Sequence, residues 1–400
     1  MGLDLGLEAA GLRPTLANEL EPVFCQSIRR NRPLLDLIES DVRTLTGESL
    51  RTHRGYQGEV YLMAGGPPCQ TFCPGGKRAA LTDPRGNLIY EYLRLISEVQ
   101  PRHFILENVA NLATAALRHR PIKDRPGQHW SLKRYDTSQY PLGIGDVAMA
   151  QDEQAGSALR QIMTDVARLG YHINFGVLDS SDYGAPQQRL RFVMLGSREF
   201  PPPRLPQPTH GGVLKPLATV RDAIAHLASA PGPHSEYTEP VRRVFALVPE
   251  GKNWRSLPKE MQRVAMGGSF NSGGGKTGFY RRLGWDKPSP TITGRANRKG
   301  SALCHPAADR PLSVRECAAL QGFPSDWVFA GSMADGYTQV GNAVPIALGH
   351  AIGNALTAHE AMVRTDTADG LATSDWNSMM AAALARLRAA ARNTKTKAAA

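Results

Sequence analysis

Apolar residues in the first half of the chain fall in short runs separated by polar loops, the pattern of buried strands alternating with helices. Val60–Ala64 (VYLMA) and His103–Leu106 (HFIL) predict strands, each ending at a polar or Gly/Pro-rich turn. Between them, Tyr90–Val99 carries apolar side chains at helical spacing until Gln100-Pro101 stops it. Ala158–Leu169 predicts a further helix, and Ile173–Leu178 and Arg191–Leu195 further strands. Strand, loop, helix, strand is the grammar of a mixed, mostly parallel α/β sheet flanked by helices, with ligands beyond the carboxyl ends of the strands.

Two stretches break that rhythm. Residues 114–156 are polar, basic and rich in Pro and Gly, and predict an inserted loop. Pro201–Gly212 (PPPRLPQPTHGG) cannot continue a helix or a central strand and predicts a linker or hinge. The expected organisation is a large domain over 1–199, a smaller one over 200–310, and a return to the first over 311–362. Ile346–Val363 would pack back on the sheet. Residues 363–400, Ala-rich with scattered Arg and Lys, predict a frayed basic tail or surface helix.

Composition narrows the class. At 42% hydrophobic and 21% charged, the 400 residues match ordinary globular usage and exclude wholesale disorder or fibrous repeats. No stretch approaches the roughly 20 consecutive apolar residues of a membrane span. The opening MGLDLGLEAAGLRP is no secretory signal. Five scattered cysteines make no disulfide framework. A soluble, cytoplasmic protein with reduced thiols is expected. The net charge of +11 is concentrated: residues 200–310 hold 17 Lys/Arg against 7 Asp/Glu. Such a segment suits a polyanion such as nucleic acid. Gly267–Gly278 contains Gly-Gly-Gly-Lys-Thr, but the spacing of a phosphate-binding loop fails.

Three motifs carry chemistry. Gly65-Gly66-Pro67-Pro68-Cys69-Gln70 follows a strand directly, so its prolines would hold the Cys69 thiol on a stiff loop at a strand's carboxyl end. A small buried cysteine after a tight turn is the structural reading of the same residues. A metal or redox pair with Cys73 lacks the matching pair that such sites use, and no metal is expected. Glu107-Asn108-Val109 closes the next apolar run. A carboxylate at that lip is partly desolvated, which raises its pKa and equips it to donate a proton; a helix-capping acid is the plainer alternative. Gln187-Gln188-Arg189-Leu190-Arg191 opens another strand, where alternation would aim both arginines at one face.

Together these motifs resemble the DNA (cytosine-5)-methyltransferases of bacterial restriction-modification systems. The likeness spans about residues 2–361 and rests on GGPPCQTF (65–72), ENV (107–109), QQRLRF (187–192), RECAALQGFP (315–324) and QVGNAVP (339–345), in the family's order. The resemblance implies a Rossmann-like fold that uses S-adenosyl-L-methionine, with a target-recognition domain in the basic segment. It makes Cys69 the nucleophile that adds to cytosine C6 and Glu107 the acid at N3. Arg189 would be the contact to the pyrimidine oxygen, with Gln70, Asn108 and Arg191 supporting the site. The cofactor would be held by Gly2, Glu19, Asp41, Val42, Pro68, Leu88 and Asn342. DNA would meet Arg281, Arg282, Thr291, Arg295, Arg298 and Lys299, the target base being flipped out of the duplex.

The resemblance also implies a double-stranded DNA substrate, pairing with a restriction endonuclease, a monomer, and association with the nucleoid. The family opens on an apolar strand and a turn of the form Phe-x-Gly-x-Gly-Gly, of which this sequence matches only Gly2, so the first strand is expected to be missing. A start placed too far downstream is the favoured explanation, and an extended chain should then melt higher. An inactive DNA-binding remnant is the alternative of a different class. A tRNA methyltransferase would carry Cys-Phe-Thr in the recognition segment, and none occurs between 200 and 310.

Overall fold

The computed structural model describes residues 1–53, 58–68, 88–118, 150–271, 278–295, 300–364 and 375–399, the side chains of 364 and 392–399 excepted. In chain order the elements are α1 (Gly2–Ala9), β1 (Leu16–Glu19), α2 (Pro22–Asn31), β2 (Asp36–Glu39), α3 (Gly47–Arg51), β3 (Leu62–Gly65), α4 (Leu88–Val99), β4 (His103–Val109), α5 (Ser157–Arg168), β5 (His172–Asp179) and β6 (Leu190–Ser197). There follow α6 (Val220–Ile224), α7 (Glu239–Ala246), α8 (Lys259–Met266), β7 (Arg281–Arg282), β8 (Leu303–Cys304), α9 (Val314–Gln321), α10 (Met333–Asn342), α11 (Ile346–Arg364) and α12 (Trp376–Ala399).

The main sheet has the order β3-β4-β6-β5. β3 and β4 pair in parallel, and β6 runs against both of its neighbours. Its period-two alternation builds three layers. Phe104, Leu106, Phe192 and Met194 face a core with α4, α5 and α12, whereas Ile105, Val193 and Leu195 face one with α1 and α11. β4 is longer than its apolar run predicts. Asn108 and Val109 pair with Phe192 and Arg191, so Glu107 stands inside a strand and not at its lip.

β1 and β2 pair in parallel in a sheet of their own, and among the described residues no ladder joins them to β3. Side chains of α4 make the connection: Glu98 Oε2 accepts from Gly47 N at 2.7 Å, and Arg94 Nη2 donates to Leu45 O at 3.0 Å. The turn after β2 is thereby fixed against the main body.

Three expectations about organisation are corrected. The boundary at 310 falls inside one shared core, because Leu312, Cys317, Leu320, Tyr337 and Val340 pack with Val220, Ile224, Leu283 and Ile292. A second small core, Phe245, Trp254, Met266 and Tyr280 among others, belongs wholly to the 237–304 region. The expected linker or hinge lies against β5: Asn174 Nδ2 donates to Pro203 O, Tyr183 Oη donates to Pro206 O, and Pro201–Pro203 are buried. The third correction concerns the last segment. α12 docks on the sheet, burying Met379, Met380 and Ala383 in the core beside β5. Its few apolar residues share one face, which an Ala-rich composition conceals. Met380→Ala should therefore cost roughly 2–4 kcal/mol by urea denaturation; an unchanged midpoint would mean that α12 does not dock.

The insertion begins later than 114. Arg118 N donates to Asp152 O and its guanidinium pairs with the Asp152 carboxylate, closing a neck whose sides are also joined by Gly156 N to Ala115 O. The body of the insertion lies outside the described residues.

Candidate active site

β4 carries Glu107 two residues before its end and Arg189 and Arg191 flank the first residue of β6, and the antiparallel register decides how they meet. Val109 faces Arg191 across the ladder, which places Glu107 on its diagonal and on the same face of the sheet. Arg191 Nε donates to Glu107 Oε1 at 2.8 Å. Glu107 is only 8% exposed. Burial pushes its carboxyl above the usual carboxylate range, while Arg191 and Arg189 pull it part of the way back. The net direction is upward, toward a proton-bearing acid.

The loop after β3 passes directly over this acid. A Cβ added to Gly66 would stand 3.0 Å from Glu107 Oε2, so glycine keeps that oxygen clear. Asn108 Nδ2 donates to Pro67 O at 3.1 Å and ties the loop to β4. Asn108 thereby holds the last described residues of that loop against the strand. Cys69 and Gln70 lie outside the described residues. The described loop ends at Pro68, one position before the thiol and within one turn of chain from Glu107.

The two arginines part company. Ser180 N donates to Arg189 O, and Arg189 N donates to Asp179 Oδ1 at 3.0 Å, just before β6 begins. The Arg189 guanidinium, 2% exposed, then donates through Nη1 to Ile292 O at 2.6 Å and through Nη2 to Gly341 O at 2.8 Å. The resemblance assigns Arg189 to the pyrimidine oxygen; in the structure each of its terminal nitrogens donates to one backbone carbonyl. Arg191 is the cation beside the acid.

The cofactor candidates collect at strand ends. Glu19 closes β1, with Oε1 accepting from Leu20 N and Glu21 N at 2.8 and 3.0 Å. Asp41 follows β2 and caps the turn at Val42 by accepting from Arg43 N at 2.9 Å. Because β1 and β2 pair in register, Glu19 opposite Glu39, the two acids stand at neighbouring carboxyl ends. Pro68 lies in the exposed loop after β3, and Leu88 starts α4. Gly2 opens α1 and packs against Ala343 and Val344, immediately after exposed Asn342. The donor set suits a ribose diol and an adenine amino group.

Recognition candidates divide by burial. Arg282, 6% exposed, donates to the carbonyls of Val248, Phe245, His305 and Ala308 and pairs with Asp309. It is a core fastener, which corrects its assignment to DNA. Half-buried Arg281 has its pKa lowered by desolvation, and no carboxylate pairs with it among the described residues. Thr291 and Arg295 are exposed; Arg298 and Lys299 lie outside the described residues. At the opposite end of β4, His103, Glu199 and Glu360 could in principle hold a cation. Arg102 already pairs with both carboxylates, at 2.7 and 3.4 Å, and supplies positive charge there.

Sequence reasoning missed Gly66, Gln187, Gln321 and Gly341, which shape the site without reacting. Only their places inside otherwise informative motifs could have drawn attention to them.

Comparison with known proteins bears on this geometry. The sequence model of the C-5 cytosine-specific DNA methylase family matches residues 1–121 and 146–358, leaving out the body of the insertion and α12. The Type II methyltransferase M.Eco47II of Escherichia coli is 34% identical over 361 residues, covering 89% of this chain and 76% of the relative. M.PspPI of a Psychrobacter strain is 36% identical with the same coverage, and M.Sau96I of Staphylococcus aureus 33% identical over 89% of this chain and 73% of its own. Among solved structures, a mutant DNMT2 of Spodoptera frugiperda aligns with a TM-score of 0.53 at 14% identity, over 89% of this chain and 96% of that one. Its likeness concerns the fold.

Proposed function

The chain belongs to the C-5 cytosine-specific DNA methylase family, and on that premise we propose that it methylates C5 of a flipped-out cytosine in a specific duplex sequence through an adduct between Cys69 and C6. The observation that carries the mechanism is the acid pair at the sheet's end: Glu107, buried and held toward its protonated form, beside Arg191 and beneath the loop that leads to Cys69.

Cytosine C5 is too weak a nucleophile to take a methyl group unaided. Addition of the Cys69 thiolate to C6 forms an S–C6 bond and pushes the C5–C6 π electrons onto C5 as the ring accepts a proton at N3. Glu107 supplies that proton from Oε2, the oxygen nearest Gly66, while Arg191 holds Oε1 and stabilises the carboxylate left behind. After C5 has gained the methyl group, a base takes the C5 proton, the double bond re-forms as the thiolate is expelled, and N3 returns its proton to Glu107, which regenerates the enzyme. S-adenosyl-L-methionine, when bound at Glu19, Asp41 and the neighbouring strand ends, supplies the electrophilic methyl. An ordinary thiol titrates near about 8.5, so the site must lower that value or work with a minor thiolate fraction.

The DNA face consists of exposed Thr291 and Arg295 together with the desolvated cation of Arg281, which a phosphate would neutralise. The curated relatives are named Type II methyltransferases, which supports protection of sites from a partner nuclease as the biological role. Among the described residues no helix is long and apolar enough to cross a membrane.

The test is transfer of labelled methyl from S-adenosyl-L-methionine to mixed-sequence duplex DNA. Label on cytosine with the native chain, and none above background with Cys69→Ala, is expected. Residual transfer by Cys69→Ala would remove the thiol from the chemistry.

A further inference from the structure

A buried polar seam joins the strand of the catalytic arginine to the segment that would meet DNA. Gln188 N donates to Ser289 O at 2.7 Å and Ser289 N to Pro186 O at 2.8 Å, an isolated parallel bridge that lays the start of segment 289–292 beside 186–188. Two side chains then grip one residue, Ile292, by its N–H and its carbonyl. Ile292 N donates to Gln187 Oε1 at 2.9 Å, and Arg189 Nη1 donates to Ile292 O at 2.6 Å.

The seam continues into the last third of the chain. Arg189 Nη2 donates to Gly341 O at 2.8 Å, Gln187 Nε2 to Gln321 Oε1 at 2.9 Å, and Gln321 Nε2 to Val340 O at 2.7 Å. Gln187, Arg189 and Gln321 are all buried. Packing agrees with the hydrogen bonds: a Cβ on Gly341 would stand 2.1 Å from Gly294 N and 2.4 Å from Thr293 C, so only glycine admits the segment this closely. Thr291 and Thr293 meanwhile lie exposed.

We propose that Arg189, with Gln187 and Gln321, is a positioning residue that seats segment 289–294 on the strand bearing Arg191, so that engagement of a DNA backbone by that segment sets the geometry of the Glu107 pocket. This rests on the methyltransferase reading. Guanidinium is the group the task requires, because its fork reaches two carbonyls on different segments at once, whereas an ammonium donates as a point. In a buried network, a half-satisfied member disturbs every other. Arg191 follows Arg189 by two residues, so movement of the clamp reaches the partner of the acid directly.

The experiment compares Arg189→Lys and Gly341→Ala with the native chain in single-turnover methylation, DNA binding at fixed salt, and thermal melting. Arg189→Lys should transfer methyl about 100-fold more slowly, as expected for misplacement on the scale of an ångström. Its DNA dissociation constant should stay within about threefold, because uniform binding is not what is lost. Gly341→Ala leaves the guanidinium in place and touches no substrate, yet should reproduce the same split. The double variant should be no slower than the worse single one. Native-like transfer by Gly341→Ala alongside a crippled Arg189→Lys would mean that Arg189 acts on the base itself, and would overturn the proposal.

Hydrogen exchange gives a readout independent of turnover and of whether Gly341→Ala folds. The Ile292 amide should exchange slowly in the native chain and quickly in Gln187→Leu; slow exchange in both would overturn the clamp. A native chain that folds but never methylates DNA would count against the functional reading while leaving the exchange result to decide this one.

Discussion

Glu107→Gln should slow single-turnover methyl transfer by about 10²–10⁴-fold, the range that a general acid supplies. DNA affinity should change little, since the side chain is buried beneath the loop and spends Oε1 on Arg191. The glutamine keeps the shape and can still hydrogen-bond, but it cannot hand over a proton. The pH dependence gives a sharper signature. Burial raises the Glu107 pKa, and the protonated form is the active one. Activity assigned to this group is therefore complete below its raised pKa and declines as pH rises through it. The native enzyme should show an alkaline limb that Glu107→Gln lacks. Profiles of the same shape in both proteins would assign that limb to another group.

Arg282→Met should destabilise the protein by several kcal/mol, because each buried carbonyl left without a donor costs about 1–3 kcal/mol. Methionine fills similar space yet leaves the carbonyls of Val248 and His305 without the guanidinium donor, takes one of two donors from Phe245 O and Ala308 O, and leaves Asp309 without its cation. Those groups span both flanks of the small core, so its segments should loosen together. Urea denaturation measures the loss. Weakened DNA binding with an unchanged unfolding midpoint would return Arg282 to the DNA surface, where its sequence neighbourhood had placed it.

Arg189 and Arg282 are held inward for one reason. An arginine in a basic stretch looks alike whether it faces a phosphate, a base or a backbone carbonyl, and only burial separates these roles. Arg282 and Arg189 turned inward because chain ends, turns and isolated bridges leave carbonyls that no ladder satisfies. Neither feature has a periodicity that a sequence can display. Gln187 and Gln321 are harder still, since a glutamine on an interior seam differs by nothing local from one in solvent.

The fold was legible where hydrophobic burial is two-sided. HFIL and the run within QQRLRFVML are apolar because helices cover both faces of the sheet, and they became β4 and β6. Their extent was not legible: β4 runs on through Glu107-Asn108-Val109 because β6 offers a ladder there, and polar letters end an apolar run without ending a strand. The helix of the last segment was one of the readings offered, but its docking escaped because its few apolar residues are diluted by alanine although Met379 and Met380 are buried. The acid and its arginine were readable as residue types at strand ends. Their separation into one pair and one clamp needed the register.

Covalent capture tests the chemistry most directly. In duplex DNA carrying 5-fluorocytosine at the target, C5 holds fluorine where the leaving proton should be, so elimination of the thiolate is blocked after methyl transfer. The native chain should accumulate a stable protein–DNA adduct whose peptide mass places the linkage on Cys69. Methylation of ordinary cytosine with no adduct on the fluorinated duplex, or an adduct mapped to another cysteine, would contradict the mechanism.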